Sequence, residues 1–258
     1  SLLIGLAGAL PGAMSPQPNS WALWAAVLFF LSTGAFALND YFDVDNDKIS
    51  KPHRAIPSGA ITKSNALTVF FVSSAIGLTT AVFGLPFSLI GLTLSYFSFG
   101  IIYNYLVRRT AVLKTTMAAL ISVIPIAGGG LVAYKDNAII VLVASASFLY
   151  IMSRELRMDV LDIEGDSKGG VKTLAISLGQ TRVQSMSIFM MVTSIVGISV
   201  CSFFFLPEPI GAIMIAVVVI SQITCELMWA SSHPRLRRQS VRLQWGAMLG
   251  GVLVLSLA

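Results

Sequence analysis

Chemistry in this 258-residue chain is concentrated in two short acidic stretches. The first, NDYFDVDND, runs from Asn39 to Asp47, and the second, RELRMDVLDIEGD, from Arg154 to Asp166; together they hold nine of the twelve acidic residues. If each stretch continues the helix before it, Asp40, Asp43 and Asp47 share one face at i, i+3 and i+7, and Asp45 points elsewhere. Asp159, Asp162 and Asp166 repeat that spacing residue for residue. Bare carboxylates arranged in this way repel, so a cation belongs between them, and clustered oxygen ligands suit a hard ion such as Mg²⁺. A solvated loop with capping Asn or Asp would account for one such stretch alone, but poorly for two in the same register.

Each stretch ends an apolar run. Residues 21 to 38 carry no charge and are about long enough to cross a bilayer core at roughly 1.5 Å per residue. With 55 % hydrophobic residues, 11 % charged residues and a mean hydropathy of +0.82, the chain lies outside soluble usage and belongs in a membrane. Nine apolar segments follow one another at about 1 to 13, 21 to 38, 65 to 83, 86 to 106, 115 to 134, 138 to 155, 183 to 205, 210 to 230 and 243 to 258. The expectation is an all-α polytopic membrane protein, nine transmembrane helices around a central cavity, in a single domain over 1 to 258. The first helix is read as truncated, because Ser1 enters an apolar run directly, without an initiator Met or a signal-peptide pattern. Cys201 and Cys225 lie inside apolar segments and indicate neither a disulfide framework nor a cysteine metal site.

Charge is segregated. Sixteen of the seventeen Lys and Arg residues fall on alternate connections, with Lys135 the exception, so those connections and both acidic ends are expected to face the cytoplasm. Nothing in this pattern reads as a nucleic-acid surface. Asp40 and Asp159 end the second and sixth segments, which suggests two equivalent four-helix halves facing each other, with a ninth helix added. Gly128, Gly129 and Gly130 suit close helix packing, and Trp21, Trp24, Trp229 and Trp245, towards segment ends, read as interfacial anchors.

Two carboxylate clusters at the mouth of an apolar cavity, ringed by Arg and Lys, describe a binder for a molecule with an anionic head and an apolar tail, such as a prenyl diphosphate. Mg²⁺ held there would neutralise the departing diphosphate and favour ionisation at the allylic carbon. Among the basic residues Lys51, Arg108, Arg154 and Lys172 are candidate contacts for the head, although Arg154 with Glu155 equally suits a local interfacial pair. A carbocation needs a dry pocket with aromatic faces, which Tyr96, Phe97, Phe99, Tyr103 and Tyr105 could offer. Tyr103 is the preferred candidate, with ordinary packing as its alternative. Glu226, in the eighth segment, either snorkels or lines the cavity, and Arg235, Arg237 and Arg238 read as topology signals and headgroup contacts.

NDYFDVDND with KPHRAIPSG, then YNYLVRR, then RELRMDVLDIEGDSKGGVKTLAISLG, resembles the UbiA superfamily of intramembrane prenyltransferases in order and spacing over most of the chain. The resemblance implies a nine-helix fold, Mg²⁺ dependence and a prenyl diphosphate donor. It also implies one metal held by Asn39, Asp43 and Asp47 with Asp40 nearby, a second held by Asp159, Asp162 and Asp166, and Arg54 on the diphosphate. Asp43, Asp162, Arg54 and Tyr103 are thereby the candidate catalytic residues. The chain departs from the family pattern at Met158, where Lys is common, at Thr115 for Asn, at Arg108 for Lys and at Ala55 for Pro. The family's first-helix Arg and Asn motif would precede Ser1. The reading is therefore transfer of an isoprenoid to an aromatic or lipid-like acceptor, with an acceptor-free UbiA-type terpene cyclase as the alternative that the departures leave open. A transporter, which would place its acids near the bilayer midplane, is the third.

Overall fold

The computed structural model describes residues 18–50, 52–106, 110–132, 137–168, 170–205, 208–231 and 233–257. Every regular element among them is helical: α1 Pro18–Ser50, α2 Lys63–Gly84, α3 Phe87–Leu106, α4 Ala111–Val132, α5 Asn137–Leu161, the short α6 Ile163–Lys168 and α7 Leu174–Leu178, α8 Gln180–Phe205, α9 Ile210–Ala230 and α10 Pro234–Leu257. Eight long helices stand where eight of the nine were expected; the segment from 1 to 13 lies outside the described residues. Seven of the eight are long and apolar enough to cross a bilayer. The exception, α10, starts at Pro234, ahead of the apolar run expected from 243, so its first turns carry four arginines.

Local chemistry sets the helix ends. Thr62 caps α2 by accepting from the Asn65 amide at 3.1 Å, and Thr173 caps α7 through the Ile176 amide at 3.3 Å. α2 stops where Leu85 is followed by Pro86, a residue that cannot continue the ladder.

Lipid tails are as apolar as leucine, so close packing rather than hydrophobic transfer must hold the helices together. Phe83 and Phe87 are 86 % and 90 % exposed, a surface suited to lipid. The core forms where α1 meets α2, α3 and α4, around Trp24, Leu28, Leu31, Leu89 and Tyr96. Trp24 is fully buried there, not an interfacial anchor: its indole fills a recess at Gly128, where a Cβ would come within 2.1 Å of the ring, and its Nε1 donates to the Pro125 carbonyl at 3.3 Å. Trp229 is buried as well, beneath the guanidinium groups of Arg157 and Arg237.

The expected halves are visible in the packing. Each acid-bearing helix packs most extensively on the next long helix, α1 on α2 and α5 on α8, and α3 against α4 joins the halves.

Candidate active site

α1 runs unbroken through the first acidic stretch, and its period sorts the carboxylates. Asp47 is buried, whereas the Asp45 side chain is 74 % exposed and pairs only 3.2 Å from Lys48. Arg54 reaches back from the turn after α1: its Nη1 donates to Asp40 at 3.1 Å and to Asp47 at 2.7 Å. One guanidinium thus spans the two ends of the acidic face. The turn is itself tied down, with the Ser58 amide on the Arg54 carbonyl, the Ile61 amide on the Ala55 carbonyl, and Gly59 at φ +80°, a conformation that favours glycine. Asn39 and Asp43 are half-buried on the same helix end.

The second stretch departs from the expected register. α5 ends at Leu161 and α6 begins at Ile163, so the chain bends at Asp162, although the Asp162 and Asp166 amides still reach the Met158 and Asp162 carbonyls. The spacing of the two stretches is identical, but only the first keeps a continuous helix. Asp159 is 2 % exposed, and Lys114, from the first turn of α4, lies 3.0 Å from it and 3.8 Å from Asp166. The Thr115 hydroxyl is 3.5 Å from the other Asp159 oxygen. Arg238 approaches Asp162 to 3.9 Å. On the exposed side of α6, Lys168 bonds to Glu164 at 2.7 Å and holds that carboxyl below the usual range.

Tyr103 joins the two ends. It lies within electrostatic reach of Asp43 on α1 and of Glu155, Asp159 and Lys114 on the other side. The remaining aromatics of that helix do other work. Tyr96 is buried on the Ser32 hydroxyl at 2.8 Å, Phe97 stacks on Phe70, Phe99 packs into the α1 core and Tyr105 is 60 % exposed. Of the candidate head contacts, Arg154 bonds to its neighbour Glu155, Lys172 is exposed between α6 and α7, and Lys51 and Arg108 lie outside the described residues.

Lys114 and Arg238 were not among the expected site residues. The available signal for Lys114 was its place at the start of the fifth segment, at the same bundle end as the acids. Among the described residues no three acidic side chains close on one point, because Arg54 and Lys114 hold the carboxylates instead. Six carboxylates, all hard oxygen donors, line the two faces, and among the described residues Arg54, Lys114 and Arg238 approach them. That donor set fits a divalent ion of the Mg²⁺ kind.

A membrane-spanning helical bundle that carries two carboxylate faces, each with its own bridging cation, defines a class: an intramembrane site for an anionic head. The chain belongs to the UbiA prenyltransferase family, whose model matches residues 1–249. It is 30 % identical over 217 residues to the digeranylgeranylglyceryl phosphate synthase of Pyrococcus furiosus, covering 81 % of this chain and 73 % of that protein. Its fold is similar to that of a UbiA homologue from Aeropyrum pernix K1, with a TM-score of 0.81, 18 % identity and coverage of 100 % and 96 % of the two chains. It is also similar to a UbiA homologue from Archaeoglobus fulgidus bound to GPP and Mg²⁺, with a TM-score of 0.76, 17 % identity and coverage of 99 % and 95 %.

Proposed function

We propose that this protein is a single-domain, Mg²⁺-dependent prenyltransferase that ionises a prenyl diphosphate and transfers the isoprenoid to a lipid-like acceptor. The observation that carries this reading is the pair of carboxylate faces, Asp40 and Asp47 on Arg54 in one half and Asp159 and Asp166 on Lys114 in the other. The A. fulgidus homologue bound to GPP and Mg²⁺ supports the donor and the metal, and the P. furiosus synthase, whose product is a glyceryl phosphate, supports the acceptor class.

Asn39, Asp40, Asp43 and Asp47 would hold one ion and Asp159, Asp162 and Asp166 the other. Mg²⁺ so bound supplies positive charge to the departing diphosphate. Arg54 and Lys114, already fixed at the two faces, add positive charge where negative charge develops. Tyr103 offers an aromatic face to the allylic cation between them. Apolar walls exclude the water that would quench it. A nucleophile of the acceptor then forms the new bond and releases its proton.

Two of the four departures that leave the cyclase open, Met158 and Thr115, have local counterparts that favour transfer. The cation missing at Met158 is supplied by Lys114, and Thr115 places its hydroxyl on Asp159. The segregation of Lys and Arg supports a site that opens to the cytoplasm.

The test is diphosphate release from purified protein with Mg²⁺ and geranyl, farnesyl or geranylgeranyl diphosphate, with and without a prenylated glycerophosphate acceptor. Little release without acceptor and a prenylated lipid with it is the expected outcome. Restoration by an aromatic acceptor alone would move the acceptor class, and a cyclic terpene formed without any acceptor would replace transfer by cyclisation.

A further inference from the structure

The two acid-bearing helices are supported differently around their acids. α1 continues past Asp40 to Ser50, so the helix itself carries the acidic face, and the residue two before Asp40 is Leu38, an apolar side chain 6 % exposed. α5 stops at Leu161. Asp159 therefore stands in a last turn and Asp162 at a break, where helix ends fray unless neighbours hold them. The residue two before Asp159 is Arg157.

Arg157 is 1 % exposed and faces away from Asp159, as two helical steps require. Its Nε donates to the Ser187 hydroxyl of α8 at 3.0 Å, its Nη2 donates to Glu226 of α9, and its guanidinium lies 5.1 Å from the centre of the Trp229 ring. Glu226 is held in turn by Gln222 Nε2 at 2.7 Å, and the Ser187 hydroxyl also reaches the Ser153 carbonyl of α5 at 3.0 Å. From the opposite side Lys114 of α4 holds Asp159, so three neighbouring helices, α4, α8 and α9, fix this one turn.

Stability alone does not call for such a residue. A buried ion pair is often no better than well-packed apolar residues of similar volume, and Arg157 Nη1 is buried without a hydrogen-bond partner, which adds a cost. Leu38 shows that an apolar side chain serves the equivalent place where the helix continues. What a guanidinium adds is direction: its rigid fork meets Ser187 and Glu226 together only at one rotation and one height of α5.

We infer that Arg157 is a positioning residue for the second acidic face: anchored on Ser187 and Glu226, it sets the rotation of the last turn of α5 so that Asp159 and Asp162 are presented to Mg²⁺. The inference rests on the proposed metal-dependent reading.

The experiment measures, for the whole protein in detergent, the unfolding midpoint in denaturant and the Mg²⁺ concentration that half-saturates binding of geranylgeranyl thiolodiphosphate. Arg157→Met combined with Glu226→Leu replaces the pair by apolar residues. This double variant keeps the wild-type midpoint but needs about tenfold more Mg²⁺, the loss typical when a group that orients a metal ligand is removed. Leu38→Ala is the control: lost packing lowers its midpoint, and its Mg²⁺ requirement stays at the wild-type value. Should the double variant fail to fold, Ser187→Ala, which frees one side of the guanidinium, carries the test with a rise of about threefold. A wild-type Mg²⁺ requirement in the variant that carries the test, or a rise in Leu38→Ala that tracks its lost stability, would reduce Arg157 to core packing. Binding to the wild-type protein that needs no Mg²⁺ would instead overturn the metal-dependent reading itself.

Discussion

On α1 the carboxylates are clamped from nearby in sequence: Arg54 comes from the turn directly after the helix and bridges Asp40 and Asp47. On α5 the clamp is Lys114, which arrives from another helix at a separation of 45 residues. Exposure differs in the same sense. The side chains of Arg54 and Asp40 are 37 % and 45 % exposed and only Asp47, at 6 %, is buried, while those of Lys114 and Asp159 are 19 % and 3 % exposed. An exposed pair is screened and contributes little, whereas removing one partner of a buried pair strands the other charge. Two halves with the same acid spacing are thus built for different tasks, the first to exchange its cation contacts on binding and the second to hold its geometry.

The largest effects test whether both halves serve the chemistry. Asp43→Asn and Asp162→Asn should each lower turnover by at least about a thousandfold with unchanged helical content by circular dichroism. A variant that keeps its activity would remove that half from the metal-binding reading. Next comes the contrast in clamps. Lys114→Met should cost about 3 kcal/mol in denaturant unfolding, because it leaves Asp159 buried without its cation. Arg54→Ala also strands a buried partner, Asp47, but Arg54 is itself 37 % exposed and water can take its place, so it should cost about 1 to 2 kcal/mol, less than Lys114→Met, and raise KM for the prenyl diphosphate about tenfold. Equal stability losses in the two variants would erase the proposed distinction. Smallest is Arg238→Ala: this pair spans 3.9 Å with side chains 65 % and 45 % exposed, so stability should move by less than about 0.5 kcal/mol in the same unfolding measurement.

What could be read from the sequence divides along the same line. Hydropathy located eight of the long helices, and the 3.6-residue period sent Asp45 outward from Asp40, Asp43 and Asp47, because these follow from local backbone geometry. Lys114 was not legible, since its contact with Asp159 depends on how α4 packs on α5. Equal spacing did not guarantee equal structure either: the backbone bends at Asp162 and not within 39 to 47. Position near a segment end placed Trp24 at the interface, but the recess at Gly128, on a different helix, buries it. The aromatics of α3 point around the whole helix, and only packing shows that Tyr103 faces the acids while Tyr96 is spent on Ser32.

The central claim is that the carboxylates of each half would hold one of the two metal ions that bind the diphosphate. It is tested most directly by the Mg²⁺ dependence of binding of a non-ionisable geranylgeranyl thiolodiphosphate to the wild-type protein, Asp43→Asn and Asp162→Asn. Tight binding that requires Mg²⁺ in the wild type, is abolished by EDTA and is lost in both variants is the predicted result. Mg²⁺-dependent binding of undiminished affinity in either variant would contradict it.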